Sequence, residues 1–397
     1  MSRHLLSKTR YLHLRGQCKK NLLACVALVV VSEFASRYST SLNKGGVPVP
    51  LHLVNKQVFF SPTSGLGNSM LALISARHFA ALMGAQFGVI WDENTSPSCQ
   101  APFKDLFSPP RQDTDILGCN GTCPLDLTQR GSPACWHTIT CGSRFDIEQL
   151  FTSCPCVHIL SNQFFLPAIS GHISRVPHAK VLQHTAEYFR PSAPIAHRVA
   201  RTLRDWKTSN RVTHIIGVHV RASHNNEGVQ NGQWIAKKNT FRNIFWPCLK
   251  DVLSSLTDER VGVFVAADIP EVRDEASSLL SREKRAVELP TPIDDLPNDS
   301  GLGPHRSTQE VLDAAVELFL LKSSDSLLVK KGNTFDSTFS ATAALLAGCE
   351  TGTACYLVDD SKCERALQPI IPDFHLEKKI DCDNYNQISE PCVLEKT

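Results

Sequence analysis

The sequence predicts an α/β fold made of two Rossmann-like units in series. Three observations lead there. The runs "THIIGVHV" (Thr213–Val220) and "VGVFVAA" (Val261–Ala267) are almost continuously apolar, as strands buried on both faces of a parallel sheet are. Such runs alternate with helix-like segments through the second half of the chain, which is the βα order of a covered parallel sheet. The chain has 397 residues, 42% of them hydrophobic and 20% charged, which suits a globular protein with more than one core.

Taken in order, Val54–Phe60 reads as a strand, Gly65-Leu66-Gly67-Asn68 as a turn and Asn68–Met83 as a helix. The helix shows in Met70, Leu71, Ile74, Phe79 and Leu82, which fall at helical spacing. Gln86–Trp91 is a second strand and completes a βαβ unit. Ser96–Cys156 is rich in Cys, Pro, Gly, Thr and Asp and reads as a long disulfide-pinned excursion. Val157–Leu160 returns to strand character, and Pro191–Trp206 reads as a helix closing the first unit.

After Thr213–Val220, Thr240–Leu256 reads as a helix. Val261–Ala267 is followed by Pro270 at a helix start, with Glu271 and Asp274 in the first turns, where the dipole favours acids. Ser307–Lys322 reads as an amphipathic helix, Ser326–Val329 as a strand, Ser337–Ala347 as a helix and Ala354–Val358 as a strand. The expected divisions are residues 1–36 as a cytosolic tail and anchor, 37–52 as a stem, 53–206 and 207–375 as the two α/β domains, and 376–397 as a cysteine-containing tail.

The address comes from the ends and the cysteines. Basic residues Arg3 to Lys20 precede the apolar run Leu22–Val31, which is shorter than the ~20 residues of an ordinary span. A short uncleaved type II anchor and a cleaved signal both fit, and the anchor is the preferred reading because no clear cleavage site follows. Either one puts the body in the secretory lumen. The 15 cysteines agree. Thirteen of them lie beyond residue 90, clustered at Cys99–Cys156 and Cys349–Cys392 without the paired spacing of zinc sites and with Cys248 alone between the clusters, so disulfides in an oxidising lumen explain them better. Sequons at Asn94, Asn120 and Asn298 point the same way. A formal net charge of +2 carries no footprint for nucleic acid.

Ligands of such sheets bind beyond the carboxyl ends of the strands. Gly65, Gly67 and Asn68 follow the first strand there. The glycines fit a turn that takes positive φ and lets backbone approach a ligand; they equally fit a plain strand–helix turn. The sequence there is neither a Walker A loop nor a Gly-x-Gly-x-x-Gly fingerprint. Arg221 follows the strand ending "IIGVHV" and suits a bidentate grip on phosphate. Ser337 and Thr338 open a helix, as N-caps or as phosphate donors. Together they describe a cleft for a nucleotide-like anion, and the secretory address turns that into a nucleotide-sugar glycosyltransferase.

These pieces resemble the fucosyltransferase superfamily, and most of all plant xyloglucan α-1,2-fucosyltransferases. Gly65-Leu66-Gly67-Asn68 is similar to the superfamily's first glycine motif, and "IIGVHVR" to its hallmark strand. "CVHILSNQFFLPAI", "TQEVLDAAVELFLLKSSDSLLV", "STFSATAALLAG" and the terminal "SEPC" resemble blocks of the plant group, in the same order. The resemblance implies a GT-B fold with the acceptor on the first domain and GDP-fucose on the second. It implies an inverting transfer of fucose to a galactose-bearing polysaccharide or glycoprotein glycan at the Golgi membrane.

By carry-over Arg221 binds the diphosphate, His219 sits nearby, Asp268 contacts the guanosine, and Ser337, Thr338 and Phe339 line the phosphate and base. Glu227 and His224 are the candidates for general base, and both also read as exposed loop residues. No metal is expected: Asp113-Thr114-Asp115 and Asp381-Cys382-Asp383 match the Asp-x-Asp pattern but neither follows a buried strand. Two departures stand out. Ser69 occupies a position that is often basic in relatives, and Asp336 one that is often aromatic. Each points to weaker donor binding or to a different donor, and together they keep open the reading of a lumenal glycan-binding protein that kept the fold without catalysis; a protein O-fucosyltransferase is a third reading.

Overall fold

The structure is a computed structural model. It describes residues 57–82, 85–91, 100–108, 134–139, 156–161, 186, 188–221, 229–230, 233–234, 240–256, 260–291, 307–330, 338–349, 353–359 and 362–366. Asn55–Thr397 forms one compact unit, and the expected anchor and stem lie outside the described residues. No helix among the described residues is long and apolar enough to cross a membrane.

The first sheet grows from the βαβ unit. Strand β1 (Gln57–Pro62) leads into helix α1 (Leu66–Leu82) and strand β2 (Gln86–Val89), which lies parallel to β1. A short helix α2 (Phe103–Leu106) and strand β3 (Phe107–Ser108) follow, and then β4 (Ala134–Ile139) and β5 (Cys156–Ser161). The strand order is β2-β1-β5-β4, all parallel. Strand β4 lies inside the stretch expected to be a pinned excursion, so part of that stretch is sheet. The strand is not evident in the sequence because "ACWHTI" is short and set among cysteines, glycines and prolines that mask its apolar character, and most of the expected excursion lies outside the described residues.

Strand β6 (Arg190–Pro191) pairs with β3 and leads into α3 (Ala193–Ser209). Helix α3 packs on the second sheet as well: Trp206 lies against Phe264 with ring centroids 5.1 Å apart. The second sheet comprises β7 (His214–Val220), β10 (Val261–Ala267), β11 (Ala286–Leu289), β12 (Ser326–Lys330), β13 (Ala354–Val358) and β14 (Cys363–Arg365), in the order β11-β10-β7-β12-β13-β14. All its pairings are parallel except β13 with β14. A separate hairpin joins β8 (Val229–Gln230) and β9 (Gln233–Trp234).

The helix expected over Thr240–Leu256 is broken by a π turn at Phe241–Phe245, and α4 (Trp246–Ser255) continues it. Pro247 explains the break, because it has no N–H to give to the preceding turn. The remaining helices are α5 (Pro270–Leu280), α6 (Thr308–Lys322) and α7 (Thr338–Ala347). Helix α6 starts in a capping box: the Ser307 hydroxyl accepts from Glu310 N–H while the Glu310 carboxylate accepts from Ser307 N–H. Its second half is not amphipathic, since Ala315–Leu321 is buried all round. That half of helix α6 is wedged among β7 and helices α1, α3 and α7, so it has no face left for water.

This wedge unites the core. Val58, Phe60, Met70 and Phe79 of the first sheet and α1 belong to one apolar cluster with Ile215, Phe264, Leu327 and Leu345 of the second sheet and α7. The opposite face of the second sheet has its own cluster around Val218, Phe245, Val263 and Leu280. Two disulfides pin the outer side. Cys248, which stands alone in the sequence, joins Cys363 and ties α4 to β14, and Cys349 joins Cys355 between the end of α7 and β13. Gly348, at φ 64°, ends α7 in the left-handed conformation that a side chain disfavours.

Candidate functional site

Strand β7 carries the site's centre. Alternation along the strand sends Ile216, Val218 and Val220 into the outer core and turns His219 towards α7. There the His219 ring lies 4.9 Å from that of Phe339, centroid to centroid, at an interplanar angle of 34°. His219 is only 9% exposed, so its imidazole is a packed element of the site floor. Arg221 is exposed, one residue beyond the strand. Asp268 is half-buried and leaves β10 in the same way. The register pairs Val220 with Ala267, so Arg221 and Asp268 depart from neighbouring parallel strands at the same level.

The opening glycines answer to a different constraint from the expected one. Helix α1 begins at Leu66, so Gly67 is already helical, and Gly65 supplies the first helical acceptor, taking a bond from Ser69 N–H at 3.0 Å. Neither glycine has positive φ; among the described residues only Gly348 and Arg211 do. Gly65 faces open space. Gly67 is pressed on α7: a Cβ there would stand 2.8 Å from Phe339 N, 2.9 Å from Phe339 Cα and 3.0 Å from Thr338 C. Backbone meets backbone, and only glycine fits. Thr342, one turn further along α7, seals the contact by donating to Thr338 O at 2.6 Å and reaching Gly67 O at 3.3 Å.

The first turns of α1 and α7 therefore touch, one coming from each sheet. Neither carries an acidic residue in its first turn. Each helix start is equivalent to roughly half a positive charge and offers unbonded N–H groups. Two such ends in contact repel each other unless an anion sits between or beside them. The arrangement is chemically suited to a phosphate-bearing ligand, with an arginine at the adjacent strand end.

The side chains at the start of α1 serve local structure. Asn68 donates its amide to Ser64 Oγ at 3.1 Å, and Ser69, fully buried, donates its hydroxyl to Ser64 O at 2.7 Å. Ser69 thus spends its polar group on the turn. Of the sequence-predicted residues, the structure brings Gly67, Thr338, Phe339 and His219 together and sets Arg221 and Asp268 on adjacent strand ends. Gly65 and Asn68 belong to the turn beside them. Ser337, His224 and Glu227 lie outside the described residues, as do Asp336 and both Asp-x-Asp triplets.

Thr342 escaped the sequence reading, which stopped at the helix start. So did Arg273, which donates to the carbonyl of Ala267 at 3.2 Å, directly before Asp268. An arginine within two turns of a helix that follows a strand end was the only available signal.

No family model matches the sequence, and no curated protein matches it. Solved structures do. An arginine-to-lysine mutant of Arabidopsis thaliana FUT1 in complex with GDP aligns at a TM-score of 0.54 and 16% identity, over 79% of this chain and 74% of that one. NodZ alpha-1,6-fucosyltransferase soaked with GDP-fucose aligns at 0.46 and 16% identity, over 78% and 99% of the two chains. Fucosyltransferase NodZ from Bradyrhizobium aligns at 0.45 and 16%, over 78% and 98%. On the first of these alignments, the two sheets and their helices share the fold of the GDP-bound FUT1 structure.

Proposed function

We propose that the chain is an inverting glycosyltransferase that moves fucose from GDP-fucose to a galactose-bearing polysaccharide or glycoprotein glycan. One observation carries the reading: two helix starts with no acid in their first turns among the described residues meet at Gly67 and Phe339, beside the strand that Arg221 follows. The GDP bound to the FUT1 structure supports a guanosine diphosphate donor.

In this reaction an acceptor hydroxyl attacks the anomeric carbon as its bond to the β-phosphate oxygen breaks, and the configuration inverts. The negative charge that grows on the diphosphate meets the helix N–H groups and the Arg221 guanidinium. Glu227 or His224 takes the hydroxyl proton. Asp268, level with Arg221, receives the guanosine. The leaving group is stabilised by backbone and arginine alone, so no metal is required. We place the enzyme at the Golgi membrane as a single-pass type II protein with its catalytic part in the lumen; the Cys248–Cys363 and Cys349–Cys355 bridges support an oxidising compartment.

A second reading, a lumenal glycan-binding protein without catalysis, draws support from Ser69. It is buried and bonded to Ser64 where a basic residue would otherwise reach the donor. Labelled GDP-fucose decides between them. Transfer or donor hydrolysis by the wild type that is lost in Arg221→Ala supports the enzyme. Retained glycan binding with no turnover in either protein supports the second reading. An acceptor screen over polysaccharides, free glycans and folded cysteine-rich domains separates glycan transfer from O-fucosylation of protein.

A further inference from the structure

A buried ion pair ties together the ligand-side ends of β10 and β11. Arg273, on α5, donates through one nitrogen to Glu317 Oε1 at 2.8 Å and to Ala267 O at 3.2 Å. Glu317 projects from the all-buried half of α6, and the Thr291 hydroxyl donates to the same Oε1 at 3.4 Å. Ala267 is the last residue of β10, and Thr291 follows the end of β11. Both side chains of the pair are largely covered, at 14% and 11% exposure.

Replacing such a pair with apolar side chains of similar volume is often neutral or stabilising, so stability alone does not account for it. The guanidinium also keeps its Nε buried without a hydrogen-bond partner among the described residues, an unfavourable arrangement if saturation were the aim. What the pair does achieve is a fixed carbonyl at Ala267. The next residue is Asp268, level with Arg221 across the sheet.

We propose that Arg273 and Glu317 are positioning residues that hold the strand-end turn of Asp268 in the geometry that receives the nucleoside of a nucleoside diphosphate; this rests on the nucleotide-sugar reading above. Arg273 and Glu317 act through the Ala267 carbonyl and touch no substrate. The consequence is selective. Loosening the turn weakens the hold on the nucleoside and leaves the diphosphate grip at Arg221 and the helix starts intact.

The test titrates the full chain with GDP and, separately, with inorganic pyrophosphate. Arg273→Met alone strands a buried carboxylate and can unfold the protein, so the decisive variant is Arg273→Met with Glu317→Leu, checked by its melting temperature; Arg273→Lys is the conservative companion. The folded double variant is expected to bind GDP roughly tenfold more weakly, the equivalent of one charge-assisted hydrogen bond, with pyrophosphate binding unchanged. Adding Asp268→Ala to it is expected to cost less GDP affinity than the same change costs the wild type. Lysine is expected to restore part of the loss. Unchanged GDP affinity in the folded double variant, an equal loss for pyrophosphate, or a fully additive cycle would overturn the positioning role while wild-type GDP binding still stands. A wild type that binds no GDP would instead remove the nucleotide reading, and this inference with it.

Discussion

Gly67 and Phe339 touch through their backbones, with room for a hydrogen and none for a methyl: a Cβ on Gly67 would sit 2.8 Å from the Phe339 nitrogen. Because both contact surfaces are main chain, no rotamer change relieves the overlap. Gly67→Ala must push α1 away from α7. The expected cost is about 1–3 kcal/mol of stability, as for other overpacked sites, together with weaker GDP binding. Gly65→Ala, which meets open space, is the control and is expected to stay within about 0.5 kcal/mol of wild type. Urea unfolding of the two variants checks this directly.

Thr342 closes the same joint with a single hydroxyl shared between Thr338 O and Gly67 O. Thr342→Val keeps the shape and removes the donor. A loss of about 1 kcal/mol is expected, with a smaller effect on GDP affinity than that of Gly67→Ala because the backbones stay in contact. A double-mutant cycle between the two positions is expected to be non-additive, since both act on one interface.

The buried interior of the first sheet gives a pH signature. His158 on β5 is hydrogen-bonded to Ser61 Oγ at 2.8 Å, and burial pushes its pKa down from 6.5 to about 4. Between those values the unfolded chain binds a proton that the native state refuses. Stability is therefore fully present above the unfolded pKa and is lost as pH falls towards the folded one. The contribution is at most about 3 kcal/mol. Urea midpoints measured from neutral pH to about pH 4 are expected to fall in the wild type and to flatten in His158→Gln.

The bridge between Cys248 and Cys363 spans 115 residues of sequence. In the chain-entropy picture a loop of that size is worth about 4–5 kcal/mol. Cys248→Ser is expected to lower the melting temperature sharply under oxidising conditions and to make it insensitive to a reductant at that site. Peptide mapping without reduction is expected to show the pair itself.

The sequence shows the second sheet far more clearly than the first. Val261–Ala267 is read to the residue because a fully buried parallel strand has no polar alternation to confuse it. The edge strand Ala134–Ile139 was missed, being short and embedded in cysteine- and proline-rich chain. The site followed the same division. The placement of His219, Arg221 and Asp268 is legible because they sit at or near the ends of clear strands. The role of Gly67 is not, because its constraint comes from Phe339, far along the chain, and sequence proximity suggests only a turn. Cys248 looked solitary for the same reason: its partner is brought to it by the sheet order β12-β13-β14.

Calorimetric titration of GDP and guanosine into the wild type and Arg221→Ala addresses the central claim most directly: a diphosphate bound where two helix starts and one arginine converge. The expected result is saturable GDP binding by the wild type, much tighter than that of guanosine, and at least about tenfold weaker in Arg221→Ala, as befits a lost charge-assisted contact. Equal affinity for GDP and guanosine, or an Arg221→Ala protein that binds GDP as well as the wild type, would contradict it.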